Sequence, residues 1–176
     1  MVLLKLSFME RFWNIVYYFA YRADYKLHLL SNKINPFVLI HKLPFQKRIY
    51  AKMGIDPIEE VNKAFKRPDI GLSSIFSGGL MYILVFLVCF GLVNFYSAII
   101  QQELYLQLSH FIGFIIVSLV VNYFLLFRHD KYLGYFKEFE KMDRADKKMW
   151  AWISMGVILG ILAFSVGSFV FMNYRL

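Results

Sequence analysis

Three long uncharged windows constrain the fold of this 176-residue chain more than any other feature. No Asp, Glu, Lys or Arg lies within residues 70–102, 104–127 or 149–174. A helix needs about 20 apolar residues to cross a hydrocarbon layer of about 30 Å, and each window is longer than that. We therefore predict an all-α membrane protein with three transmembrane helices. The predicted spans are about 76–99, 104–127 and 149–172.

The composition agrees with this class. Hydrophobic residues make up 59% of the chain and charged residues 18%, whereas soluble domains average about 45–50% and 25%. Three buried helices of this kind would leave too little polar surface to enclose them in a soluble protein. The single cysteine, Cys89, lies in the first predicted span, which excludes a disulfide within one chain.

The basic residues predict the topology. Residues 1–72 hold twelve of the twenty Lys and Arg, residues 128–148 hold seven, and only Arg175 follows the third span. The positive-inside rule then places the N-terminus in the cytoplasm and the C-terminus outside, as expected in a bacterial inner (plasma) membrane. We divide the chain into a basic cytoplasmic or interfacial region, 1–72, and a three-span transmembrane domain, 73–176.

Residues 8–22 predict an amphipathic helix at the membrane surface. Phe12 and Phe19 belong to its apolar face, Trp13 is suited to the interface, and Arg22 lies on another face. Packing of this helix on the protein's own bundle, or a fourth span, are the alternatives. Anionic lipid headgroups are the expected partners of the basic region, and no nucleic-acid-binding module is recognisable. The other predicted membrane-surface residues are Lys47, Arg48, Lys66 and Arg67.

Two further cytosolic helices are expected. Asp56 is a good N-cap, Pro57 fits the first helical position and Glu59 follows three residues after the cap, so a helix should run to about Lys66. A second helix is predicted between spans two and three, where an apolar stripe accompanies the ion pairs Glu140–Arg144 and Asp143–Lys147. This stripe must bury against the N-terminal region, the membrane surface or a partner. Its members are Tyr132, Tyr135, Phe136, Phe139 and Met142.

The third span carries small residues along one stripe, at Gly156, Gly160, Ala163 and Gly167. Small residues at this spacing let two membrane helices approach closely. The stripe therefore predicts a helix-packing or oligomer interface, either with another protomer or with the first span of the same chain. In that span, Gly78 and Gly79 offer a matching patch.

The sequence contains little that indicates a catalytic site. The four histidines are isolated and no metal-binding motif occurs, so we predict no catalytic, cofactor-binding or metal-ligating residue. Asn94 and His110 lie at similar depth in the first two spans and could form a polar clip. Were the protein a lipid-acting enzyme, its candidate residues would be His41, Asp56 and His129.

The sequence favours a non-enzymatic integral membrane subunit or anchor, which holds a soluble or membrane partner at the inner face of the membrane. A large basic cytosolic portion joined to only three spans is the basis of this interpretation. One alternative is a homo-oligomeric pore or membrane-perturbing effector, assembled through the small-residue stripe. The other alternative is the lipid-acting membrane enzyme. We expect membrane lipids and a protein partner or self-association, and no cofactor.

Overall fold

The computed structural model describes residues 2–102 and 106–175, and every regular element in this part of the chain is helical. This confirms the predicted all-α class. A π-helical segment (Tyr123–Phe127) and a short 3-10 segment (Arg128–Asp130) follow the sixth α-helix. The α-helices are α1 (Val2–Ile34), α2 (Pro36–His41), α3 (Pro44–Met53), α4 (Pro57–Lys66), α5 (Leu72–Ile100), α6 (Leu108–Asn122), α7 (Lys131–Glu140) and α8 (Arg144–Arg175).

Three helical stretches are long and apolar enough to cross a membrane: Leu72–Ile100, Leu108–Glu140 and Arg144–Arg175. They match the three uncharged windows. The first and third begin earlier than predicted, at Leu72 and Arg144, because a helix continues through polar residues that an apolar window leaves out. The predicted start of the second span, near residue 104, lies outside the described residues.

The chain forms two compact units. Unit 1 comprises residues up to Phe19 and from Gly79 onward, and unit 2 comprises Ala20–Gly78. Helices α1 and α5 each contribute residues to both units.

In unit 1, aromatic side chains and one glycine join α5 to its neighbours. Phe86 packs edge-on against Phe114 of α6, and Phe95 stacks on Phe171 of α8 with ring centroids 5.7 Å apart. A Cβ atom at Gly91 would lie 2.6 Å from the ring of Phe164. Gly91 therefore allows α8 to approach α5 closely.

Helix α1 runs from Val2 to Ile34, well beyond the predicted 8–22. Within unit 1, its Tyr17 and Tyr18 are buried against α7. The Tyr17 and Phe136 rings lie 5.1 Å apart, and the Tyr18 and Phe139 rings 5.6 Å. The apolar stripe of α7 thus packs on the N-terminal helix, the first of its three possible partners.

The chain breaks its helical path between α6 and α7. His129 and Asp130 have φ values of 56° and 51°, in the left-handed region that side chains other than glycine seldom adopt. Asp130 precedes α7, but its side chain makes no capping hydrogen bond. Such strain persists only where surrounding contacts hold it.

A second break separates α7 from α8. Asp143 accepts a hydrogen bond from the Asp146 N–H at 2.7 Å, and Lys147 donates to the backbone oxygen of Glu140. The predicted ion pairs Glu140–Arg144 and Asp143–Lys147 are therefore wrong, because Glu140 and Asp143 lie at a turn rather than within one continuous helix.

Unit 2 holds α2, α3, α4 and the second half of α1. The predicted start of α4 is confirmed: Asp56 Oδ1 accepts hydrogen bonds from the N–H groups of Ile58 and Glu59, at 2.9 and 3.2 Å. The helix ends at Lys66, as expected. His28 of α1 stacks on Phe65 of α4 with ring centroids 3.7 Å apart, which holds the two helices together.

Candidate functional site

Within unit 1, the first part of α1 is held in place by polar side chains as well as aromatic ones. Trp13 donates its indole N–H to Asn122 Oδ1 at 2.9 Å. The Asn14 amide donates to the backbone oxygens of Glu10 and Leu125, at 2.8 and 2.9 Å. Leu125 lies in the π-helical segment, so Asn14 binds a carbonyl where the α-helical pattern is interrupted.

Asn122 connects three helices. Besides accepting from Trp13, its amide donates to the backbone oxygens of Met81 in α5 and Ser118 in α6, at 3.2 and 2.9 Å. Ser118 donates to the Tyr82 oxygen at 2.6 Å. Because Asn122 is fully buried, these bonds replace its contacts with water and fix the helices relative to one another.

Charged side chains also join α1 to α7. The Lys131 ammonium lies 2.6 Å from Glu10 Oε2, and Tyr135 donates to Glu10 Oε1 at 3.1 Å. A more exposed pair, Arg11 and Glu138, lies 2.7 Å apart. This arrangement positions α1 on α7.

The predicted membrane-surface residues of α1 take different positions. Trp13 binds Asn122, and Phe19 is buried. Phe12 is half-buried and stacks on Phe8. Arg22 is half-buried and has an interaction partner. The structure thus places two of the four against protein rather than on an open surface.

The remaining predicted surface residues, Lys47, Arg48, Lys66 and Arg67, are exposed. Arg67 donates two hydrogen bonds to the carboxylate of Asp69, the shorter at 2.7 Å. This contact lowers the pKa of Asp69 to about 2, because the guanidinium favours the charged carboxylate.

Unit 2 contains the candidate site, which we call the basic apolar surface and define as residues 25–55. No Asp or Glu occurs in this stretch, which carries six Lys and Arg. Helices α2 and α3 within it bury none of their residues. Large apolar side chains are exposed on it, among them Ile34, Phe37, Leu39, Leu43, Phe45 and Met53.

A cavity of about 560 Å³ opens within unit 2, beside α2, α3 and the start of α4. His41 and Asp56, two of the residues named for a lipid-acting enzyme, both line it. The Asp56 carboxylate is engaged as the cap of α4. His129, the third, belongs to unit 1.

The predicted clip between Asn94 and His110 is absent from the described residues. His110 Nδ1 instead accepts from the N–H of Gln107 at 3.0 Å, and the Asn94 amide nitrogen is buried without a hydrogen-bond partner. His110 lies at the start of α6, where free backbone N–H groups are available to it.

The small-residue stripe of α8 faces open space in this chain. A Cβ atom built at Gly156, Gly160 or Gly167 meets no other atom within 4 Å, and Ala163 is exposed. The same holds at Gly79 of α5, while Gly78 is buried. The buried side of α8 instead carries Ser154, Ser165 and Ser168.

No protein-family model, curated protein or solved structure matches this chain. Among the described residues, no group of three or more His, Cys, Asp or Glu could hold a metal ion. The contact between His41 and Tyr50, whose Nδ1 and hydroxyl oxygen lie 2.6 Å apart, was not predicted. The two residues are nine positions apart on separate helices, and no sequence pattern pairs them.

Proposed function

We propose that this protein is a non-enzymatic integral membrane anchor, which rests on the anionic inner leaflet and holds a partner there. The observation that carries the proposal is the basic apolar surface, where exposed apolar side chains accompany six basic residues and no acidic one. The three long apolar helices supply the insertion itself.

The chemistry of this surface fits an anionic leaflet. Each basic residue near such a surface gains about 1 kcal/mol, and apolar side chains gain by entering the boundary between headgroups and acyl chains. In α3, Phe45, Ile49 and Met53 recur every four residues and so share one face of the helix. Lys47, Arg48 and Lys52 supply the charge on the same helix.

Spin labels measure whether α3 enters the lipid. We would attach a nitroxide to Phe45→Cys or to Glu60→Cys, in a Cys89→Ser background, and reconstitute each into nanodiscs containing phosphatidylglycerol. The label at residue 45 should collide more with oxygen than with a water-soluble nickel complex, and the label at residue 60 should do the reverse. Equal exposure of both labels to the nickel complex would contradict the proposal.

The partner would be a protein, and α4 is the element that remains available to it. Glu59 and Glu60 share the ammonium group of Lys63, at 3.0 Å from each. This part of α4 therefore lacks the excess positive charge that an anionic leaflet attracts, and it adjoins the exposed Val61. In native nanodiscs we expect one protein at fixed stoichiometry, retained about tenfold less by Val61→Asp and unchanged by Met53→Ser. Purification of the chain alone, or retention unaffected by Val61→Asp, would contradict this part of the proposal.

A further inference from the structure

Three short helices, α2, α3 and α4, surround the cavity of unit 2. Helix α2 ends at His41, and α3 starts at Pro44 after a brief turn. Pro57 starts α4 in the same way. The volume, about 560 Å³, lies within the range of about 300–1,000 Å³ that small-molecule sites occupy.

Two lysines and one acidic residue line the cavity, which gives the lining a net positive charge. Lys42 and Lys47 line it, and neither forms an ion pair within the part of the chain that the structure describes. The one acidic residue of the lining is Asp56, whose carboxylate already accepts two backbone N–H groups. Both ammonium groups therefore remain available to an anion.

The pair of His41 and Tyr50 adds a hydrogen-bond donor for either tautomer of the imidazole. If the Tyr50 hydroxyl donates to Nδ1, the neutral His41 carries its proton on Nε2 and can donate from there. If Nδ1 donates to the tyrosine oxygen, the hydroxyl hydrogen of Tyr50 is free. Each case leaves one N–H or O–H beside the two lysines.

The rest of the lining suits an organic group attached to the anion. Ala51, Ile55, Pro57 and Ile58 supply apolar contacts. A neighbouring cavity of about 340 Å³ shares His41, Pro57 and Ile58 with the first. A ligand larger than a bare inorganic ion can therefore be accommodated.

We propose that this cavity binds a phosphate monoester, with Lys42 and Lys47 on its oxygens and the His41–Tyr50 pair as a further donor. A phosphate monoester carries about −1.5 to −2 charges at pH 7 and three acceptor oxygens, which matches two ammonium groups and one neutral donor. A phosphodiester has a single charge and fewer free oxygens, so it binds less well. The ligand is either a lipid headgroup or a soluble phosphate ester.

Two probes distinguish these sources in the full-length protein. Glycerol 3-phosphate, titrated by calorimetry into protein in phosphatidylcholine nanodiscs, represents the soluble ester. Phosphatidic acid, compared with phosphatidylglycerol by native mass spectrometry, represents the lipid. Binding of glycerol 3-phosphate supports a soluble ligand, and retention of phosphatidic acid over phosphatidylglycerol supports a lipid ligand.

Matched charge variants distinguish binding in the cavity from general electrostatic attraction to the basic residues around it. The double variant Lys42→Gln/Lys47→Gln should bind the preferred probe about tenfold or more weakly. The control Lys26→Gln/Lys33→Gln removes the same charge from the same acid-free stretch but lies outside the cavity lining. Tyr50→Phe should bind several-fold more weakly, because it removes the hydroxyl.

The proposal fails if glycerol 3-phosphate does not bind and phosphatidic acid is retained no better than phosphatidylglycerol. It also fails if the two double variants weaken binding of the preferred probe to the same extent. Glycerol 3-phosphate binding in phosphatidylcholine needs no contact with an anionic leaflet. A failure of the leaflet proposal, measured by the spin label at residue 45, is therefore distinguishable from a failure of this one.

Discussion

Trp13 donates its indole N–H to Asn122 across 2.9 Å and thereby joins the N-terminal helix to α6. Asn122 in turn holds backbone carbonyls of α5 and α6. One buried amide thus ties α1 to the consecutive helices α5 and α6. The part of α1 up to Phe19 therefore packs within unit 1.

Removing the indole N–H should therefore destabilise the protein. We expect Trp13→Phe to cost about 1 kcal/mol of unfolding free energy, because the buried Asn122 oxygen loses its donor. The matched control is Trp152→Phe, whose side chain is exposed and which should change stability by less than about 0.5 kcal/mol. Denaturant titration in mild detergent measures both, and equal losses would contradict the role of this hydrogen bond.

The two ion pairs between α1 and α7 should differ in strength. The Glu10 side chain is only 18% exposed and binds both Lys131 and Tyr135, so Glu10→Gln should cost about 1–2 kcal/mol. The Arg11–Glu138 pair is about half exposed, and Arg11→Gln should cost less than about 0.5 kcal/mol. Thermal unfolding of the two variants tests this order. A larger loss in Arg11→Gln would overturn it.

Substitution by alanine should affect the stability of the protein differently at Gly91 and at Gly160. A methyl group at Gly91 meets the Phe164 ring at 2.6 Å, whereas one at Gly160 meets nothing within 4 Å. Both substitutions gain similar helix propensity. We therefore expect Gly91→Ala to be less stable than Gly160→Ala by about 0.5–1.5 kcal/mol, the cost of turning the partly exposed Phe164 side chain away from its preferred rotamer.

Thermal melts of these two alanine variants in one detergent give the comparison. Equal stability would show that α5 and α8 do not approach as described. A change of assembly size in Gly160→Ala, seen by light scattering, would instead favour the homo-oligomeric alternative.

Asp69 should titrate at unusually low pH. Its pKa is about 2 because Arg67 binds the carboxylate, so the stabilising contact is present above the ordinary pKa of 3.8 and is lost as pH falls toward 2. Carbon NMR of the labelled side chain measures the midpoint. Arg67→Gln should raise it toward the ordinary value, and an unchanged midpoint would contradict the assigned cause.

Local chemistry predicted much of the fold. Uncharged windows identified the three long apolar helices, since the cost of burying charge in lipid is a property of each segment alone. Asp56, Pro57 and Glu59 likewise identified the start of α4, because a helix cap involves only neighbouring residues. Such features are readable from the sequence in the absence of tertiary contacts.

Features that depend on distant residues were not predicted. The break at His129 and Asp130 has no glycine or proline to signal it, and tertiary contacts override the usual backbone preference there. Asn14 binds a carbonyl 111 positions away, which no periodicity indicates. The cavity at His41 and Tyr50 similarly arises only once α2, α3 and α4 fold together.

Membrane sidedness tests the central claim most directly, because an odd number of spans must place the basic apolar surface and the C-terminal end on opposite sides. We would label Lys47→Cys and Asn173→Cys, each in a Cys89→Ser background, with a membrane-impermeant maleimide in right-side-out and inverted vesicles. Residue 47 should react only in inverted vesicles and residue 173 only in right-side-out ones. Reaction of both from the same side would contradict the three-span anchor.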